Sequence, residues 1–149
     1  MKAIARVPGS CGELVQGRID GVDFLVTCPV DCYSSVTAWL EPGPGRAVRV
    51  IGTGDYRKSA RAAERALERA IGRNRNDREA GPIAEALDRC TLYIEVHSAI
   101  PRGKGMASST ADVLGSAAAA AALVRESFLD PGELAVLALS IEPSDGLMY

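Results

Sequence analysis

The chain has 149 residues, of which 47% are hydrophobic and 24% charged, and its formal net charge is −2. This composition is typical of one globular domain, and the acidic balance argues against nucleic acid or an anionic membrane as a partner. The most apolar run, 117–124, is shorter than the roughly 20 residues that cross a bilayer, and the first residues do not resemble a signal peptide. We therefore expect a cytoplasmic protein.

The first third of the chain predicts β-strands. Apolar, β-branched and aromatic residues are concentrated in four short segments, which are 3–7, 22–29, 33–40 and 48–53. The small residues of 9–12 predict a turn after the first strand. Asp20-Gly21 is a hairpin sequence, because both residues tolerate a positive φ.

Helical patterns dominate the rest of the chain. Ala63, Leu67 and Ala70 recur at helical spacing, and a second short helix is predicted for 81–89. The segment 91–98 alternates apolar and polar residues, which is the period of a half-buried strand. Strands that precede helices without regular alternation predict an α+β fold, with a mixed or antiparallel sheet packed on helices.

Two further helices are predicted near the end of the chain. The first spans about 109–125 and contains six consecutive alanines, Ala117–Ala122. Such a helix has high helix propensity and little bulk, so we expect it to pack very close to the sheet. Asp130, Pro131 and Glu133 together predict the capped start of the last helix, which ends near Ile141.

The cysteine pattern favours reduced thiols. Cys11, Cys28, Cys32 and Cys90 contain no Cys-x-x-Cys pair. A metal site formed by the first three with His97 is the alternative, but buried thiols and a structural histidine in a strand are expected instead.

The most informative segment is Pro101–Ala111, Pro-Arg-Gly-Lys-Gly-Met-Ala-Ser-Ser-Thr-Ala, between the strand of 91–98 and the alanine-rich helix. Its glycines allow a positive φ, and the hydroxyl residues lie where the helix should begin, with free N–H groups. Such a helix start binds phosphate. The spacing fits neither the Walker A motif nor the Rossmann fingerprint.

This segment resembles the second motif of the GHMP kinases, Pro-x-x-x-Gly-Leu-Gly/Ala-Ser-Ser-small-Ala, with Met106 in place of leucine. The segment Pro8–Gly17 is similar to the opening of the same family. The sequences of this segment and of 28–31, 104–112 and 140–145 resemble, more narrowly, the family members that phosphorylate L-threonine for the cobalamin side chain. The resemblance covers residues 6–145 except 41–89.

The resemblance implies a fold and a ligand. The fold would be the GHMP kinase N-terminal domain over residues 1–149, similar to a ribosomal-protein domain, with the C-terminal domain of the family absent. The cofactors would be ATP and Mg²⁺. The residues implied in nucleotide binding are Pro101, Arg102, Gly103, Lys104, Gly105, Met106, Ala107, Ser108, Ser109, Thr110 and Ala111.

The resemblance also implies roles for single side chains. Ser109 and Glu142 would bind the metal, and Lys104 would contact phosphate. Asp145 is the candidate proton acceptor, although its motif is shorter than in the family. The candidates for the substrate pocket are Glu13, Gln16 and Asp31.

The implied function is phosphoryl transfer from ATP to the hydroxyl of L-threonine, a small-molecule substrate. Three alternatives stay open, namely another acceptor such as homoserine or mevalonate, a catalytically incomplete nucleotide-binding fragment, and RNA binding, which the acidic balance disfavours. Self-association or a partner chain that supplies the C-terminal half is also expected.

Overall fold

The computed structural model describes residues 1–45, 47–52, 55–74, 87–124 and 129–142. Its strands are β1 (Lys2–Ile19), β2 (Val22–Pro42), β3 (Ala47–Ile51) and β4 (Cys90–Ser98), and its helices are α1 (Arg57–Asn74), α2 (Ser108–Ala122) and α3 (Pro131–Leu139). Within these residues the four strands form one sheet in the order β1-β2-β4-β3. The β1–β2 and β2–β4 pairs are antiparallel and the β3–β4 pair is parallel. A mixed sheet packed on helices confirms the α+β prediction.

The long β1–β2 hairpin differs from the predicted short strands. Asp20 and Gly21 both have positive φ, 50° and 82°, as the hairpin prediction requires. The turn predicted at 9–12 is wrong, because β1 continues through it and absorbs the small residues as register shifts between Pro8 and Val15. The two strands predicted for 22–29 and 33–40 are one continuous strand, β2.

The alanine-rich helix α2 lies at the centre of the core, in contact with α1, β1 and β2. Ala117, Ala119 and Ala120 are fully buried. A Cβ atom placed on Gly115 would lie 2.7 Å from Cγ2 of Val36 in β2, so the helix backbone packs directly against a side chain of the sheet there. The predicted close approach is confirmed.

Helix α3 begins with the predicted capping box. Asp130 Oδ1 accepts a hydrogen bond of 2.6 Å from Gly132 N, and Glu133 Oε2 accepts one from Asp130 N.

We expect Asp130→Ala to lower the free energy of unfolding by about 1 kcal/mol, because the helix start loses its acceptor. Urea unfolding checks this, with Asp130→Ser as the control that keeps an acceptor. An unchanged midpoint in Asp130→Ala would contradict the role of the cap.

Most of the helix predicted for 81–89 lies outside the described residues. Among the residues that are described, no helix combines the length and the apolar character that crossing a bilayer requires.

Candidate nucleotide-binding site

The loop between β4 and α2 has an unusual backbone. Gly103, Gly105 and Ala107 have φ values of 67°, 69° and 56°, all in the left-handed region. Glycine adopts this conformation without strain, whereas for alanine it costs about 1–2 kcal/mol. Ala107 is the N-cap of α2 and offers no side-chain acceptor to the first turn. The N–H groups of that turn are therefore open to an anion, at the positive end of the helix dipole.

Strand β1 supports the loop from one side. Ser10 N donates a hydrogen bond of 3.2 Å to the carbonyl oxygen of Met106. A Cβ atom on Gly9 would lie 2.9 Å from the same oxygen, so only glycine allows this approach. The small residues predicted as a turn are thus a contact between β1 and the loop.

Glu142 follows α3 and reaches the first turn of α2. Its side chain is buried, and its Oε1 accepts hydrogen bonds from Ser109 Oγ, at 2.6 Å, and from Lys58 Nζ of α1. Thr110 Oγ1 lies 3.5 Å from Oε2. The structure therefore brings together Ser109 and Glu142, the two residues that the sequence resemblance paired. Lys58 was missed, because it is one of many basic residues around α1 and no spacing singles it out.

A second ion pair joins the glycine loop to α2. Asp112 is 3% exposed, accepts a 2.6 Å hydrogen bond from Ser34 Oγ of β2, and accepts another of 3.1 Å from Arg102 Nη2. Burial raises the pKa of Asp112 above its usual value, and the Glu142 carboxylate raises it further, against the lowering effects of Ser34 and Arg102. Sequence reasoning missed Asp112, although an acidic residue in a helix of small apolar residues was the available signal.

The oxygen atoms beside the start of α2 indicate which cation could bind there. No cluster of three His, Cys, Asp or Glu side chains exists in the described part of the chain. Glu142 and Ser109 instead offer one carboxylate and one hydroxyl beside a helix start that attracts phosphate. This donor set fits Mg²⁺, which binds through one or two carboxylates, substrate phosphates and water, rather than a metal that needs an all-protein cage.

Open cavities border the loop on two sides in the described part of the chain. One of about 260 Å³ lies between the β1–β2 hairpin and α2, and is lined in part by Ser10, Thr27 and Thr110. The other, of about 400 Å³, lies at the start of the loop beside Tyr56 and Arg102. The loop thus has space for a ligand at both of its ends.

The remaining predicted site residues are spread more widely. Glu13, Gln16 and Asp31 are all exposed on the β1–β2 hairpin. Glu13 lies opposite Thr27, which lines the smaller cavity, whereas Gln16 lies opposite Leu25, closer to the hairpin tip. Lys104 is exposed between the two loop glycines. Asp145 lies outside the described residues.

The four cysteines are free thiols, as predicted, but the expectation that they are buried is wrong. Cys11 is exposed and the other three cysteines are half-buried, because the hairpin and strand ends that carry them lie at the surface. His97 lies in a strand, as predicted, with Glu95 as its partner. Its side chain is 73% exposed and its Nε2 lies 3.2 Å from Glu95 Oε1 on the same strand. It borders the larger cavity.

Two L-threonine kinases are similar to this chain in sequence. The chain is 37% identical over 147 residues to an L-threonine kinase of Salmonella typhimurium, and 38% identical over 147 residues to an L-threonine kinase of Citrobacter freundii. These matches cover 99% of this chain but only 42% and 44% of the two relatives. The chain therefore spans less than half the length of these curated relatives.

Solved structures show the same fold. The mevalonate kinase of Methanococcus jannaschii superposes with a TM-score of 0.62 at 14% identity, over 95% of this chain and 46% of that protein. The family profile described as the GHMP kinases N-terminal domain matches residues 60–148, which include most of α1, the glycine loop and α2. The chain belongs to the GHMP kinase family.

Proposed function

We propose that this chain is the nucleotide-binding part of an ATP-dependent kinase that phosphorylates the hydroxyl group of L-threonine. The observation that carries the proposal is the meeting of Ser109 and Glu142 at the uncapped start of α2, directly after the glycine loop. The two relatives named L-threonine kinase support threonine as the acceptor. The mevalonate kinase likeness supports the fold alone, because its identity is 14%.

The residues of 101–111 would hold the ATP phosphates. Open N–H groups of the first helical turn, the helix dipole and the charges of Arg102 and Lys104 all favour an anion there. Ser109 and Glu142 would hold Mg²⁺, which neutralises phosphate charge in such reactions. Lys58 already contacts Glu142 and adds a positive charge close to the same position. Phosphoryl transfer depends mainly on such positioning and charge neutralisation.

The acceptor would lie near the smaller cavity, between the hairpin and α2. Glu13, Gln16 and Asp31 are proposed to contact it, and a carboxylate among them suits the ammonium group of a free amino acid. Asp145 is proposed as the group that accepts the hydroxyl proton. In the reaction, the threonine oxygen bonds to the γ-phosphorus of ATP, the bond to the bridging oxygen breaks, and ADP leaves.

The test is release of ADP from ATP and Mg²⁺ by the purified chain, with L-threonine, L-serine, L-homoserine and mevalonate as parallel acceptors. We expect release that depends on L-threonine and is lost when EDTA removes Mg²⁺. Release with mevalonate or homoserine instead would overturn the acceptor. A folded chain that binds ATP and releases no ADP with any acceptor would support the second candidate, a nucleotide-binding fragment, which the 42–44% coverage of the relatives favours.

A further inference from the structure

Arg102 connects the glycine loop to Tyr56 and to Asp112 of α2. Its Nη2 donates hydrogen bonds to Tyr56 Oη, at 2.7 Å, and to Asp112 Oδ2, at 3.1 Å. Tyr56 lies directly before α1, and Asp112 lies in α2. The second oxygen of Asp112 accepts from Ser34 of β2, which is fully buried. A single carboxylate thus links the arginine to a hydroxyl fixed in the sheet.

The partners of Arg102 fix its plane without using all of its donors. A guanidinium has five N–H donors in a rigid fork, and both hydrogen bonds found in the described part of the chain start from Nη2. The guanidinium carbon lies 5.0 Å from the centre of the Tyr56 ring, which stabilises the cation further. The side chain is 47% exposed and borders the cavity of about 400 Å³ at the start of the loop.

Asp112 has no comparable access to a ligand. It is 3% exposed, and both of its carboxylate oxygens already accept hydrogen bonds from the protein. A buried carboxylate destabilises the fold unless it is paired and hydrogen-bonded. The fold therefore favours the arrangement in which Ser34 and Arg102 both stay bound to Asp112. The action of Asp112 on a ligand is therefore indirect, through Arg102.

We propose that Asp112 is a positioning residue that, anchored by Ser34, holds Arg102 at the edge of the glycine loop so that its remaining N–H groups bind a phosphate of the nucleotide. This inference rests on the proposed function for the identity of the anion. It assigns Asp112 and Ser34 a part in nucleotide affinity, although neither touches the nucleotide.

The first experiment tests the positioning without a ligand. Nitrogen-15 NMR of arginine side chains identifies the Arg102 signals by their absence in Arg102→Lys. We expect separate, slowly exchanging Nη signals in the unsubstituted chain, because the hydrogen bonds hinder rotation of the guanidinium. In Asp112→Asn these signals should merge. If they are unchanged in a folded Asp112→Asn protein, the positioning role is overturned whatever the chain binds.

The second experiment measures the dissociation constant of ATP with Mg²⁺ by calorimetry. We expect binding to be about tenfold weaker in Asp112→Asn, because this variant loses the charge-assisted hydrogen bond that orients Arg102. We expect binding to be about threefold weaker in Ser34→Ala, because this variant keeps that bond and loses only the hydroxyl that anchors Asp112. Asp112→Asn combined with Arg102→Gln should bind no more weakly than Arg102→Gln alone. Fully additive losses would overturn the proposal.

The matched control is Asp23→Asn. Asp23 also faces an arginine, Arg18, at 3.5 Å, but both side chains are exposed on the hairpin, so its removal should leave ATP affinity within twofold. If Asp112→Asn does not fold, Ser34→Ala decides the question by the same two measurements. A chain that shows the expected NMR signals and binds no ATP overturns the proposed function, and with it the anion-binding role of Arg102.

Discussion

Glu142→Gln is expected to lower the release of ADP by about 100-fold or more, because the buried carboxylate is the negatively charged group that meets the first turn of α2. Glutamine keeps the shape and an oxygen acceptor for Ser109, but it removes the charge that attracts Mg²⁺. The affinity for ATP should then no longer increase when Mg²⁺ is added. Calorimetric titrations with and without Mg²⁺ measure this difference directly, alongside the assay of ADP release.

Two further variants make this prediction specific. Ser109→Ala removes only the hydroxyl and should cost less than Glu142→Gln, although it also weakens the effect of Mg²⁺. Glu64→Gln, on the exposed face of α1, removes a carboxylate at the surface and should change neither measurement. If Glu142→Gln folds and retains the full gain in ATP affinity from Mg²⁺, the metal role of Glu142 is wrong.

Gly115→Ala is expected to lower the free energy of unfolding by about 1–3 kcal/mol, the usual cost of overpacking a core. The new Cβ would lie 2.7 Å from Val36 Cγ2, so helix or side chain must shift, and Val36 is fully buried in the core. Helix propensity alone would favour alanine over glycine by up to about 1 kcal/mol. The sign of the effect therefore shows whether packing or propensity dominates.

The same substitution at Gly72 is the control. Gly72 lies on the exposed side of α1, and a Cβ atom there meets no neighbour within 4 Å. We expect Gly72→Ala to raise the free energy of unfolding by about 0.5–1 kcal/mol. Urea unfolding of both variants gives the comparison. Stabilisation by Gly115→Ala would mean that α2 and β2 are farther apart than described.

Local patterns predicted much of the fold. Asp20-Gly21 and the Asp130 capping box follow from the chemistry of two to four neighbouring residues, and both are present in the structure. The predicted turn at 9–12 failed because small residues allow either a chain reversal or a bulge. The choice between them depends on pairing with β2, which is a long-range contact.

In the candidate site, too, the sequence predicted the residues of a contiguous motif and missed those that arrive through long-range contacts. The glycine loop and Ser109 were found because they form one contiguous motif. The Ser109–Glu142 pair was proposed only through the family resemblance, since 33 residues separate the two positions. Lys58 and Ser34 reach the site from α1 and β2, and nothing in their own neighbourhood in the sequence marks them. Side chains that act through tertiary contacts are the part that sequence patterns cannot supply.

The alanine-rich interior of α2 has a thermodynamic consequence for the whole domain. An alanine side chain has no rotamers to lose, so burying Ala117, Ala119 and Ala120 carries no side-chain entropy cost on folding. Each methyl group also removes less apolar surface from water than a leucine or phenylalanine would. Because the heat capacity change of unfolding follows the apolar surface exposed, this core should give a flatter dependence of stability on temperature than a leucine-rich core of equal length.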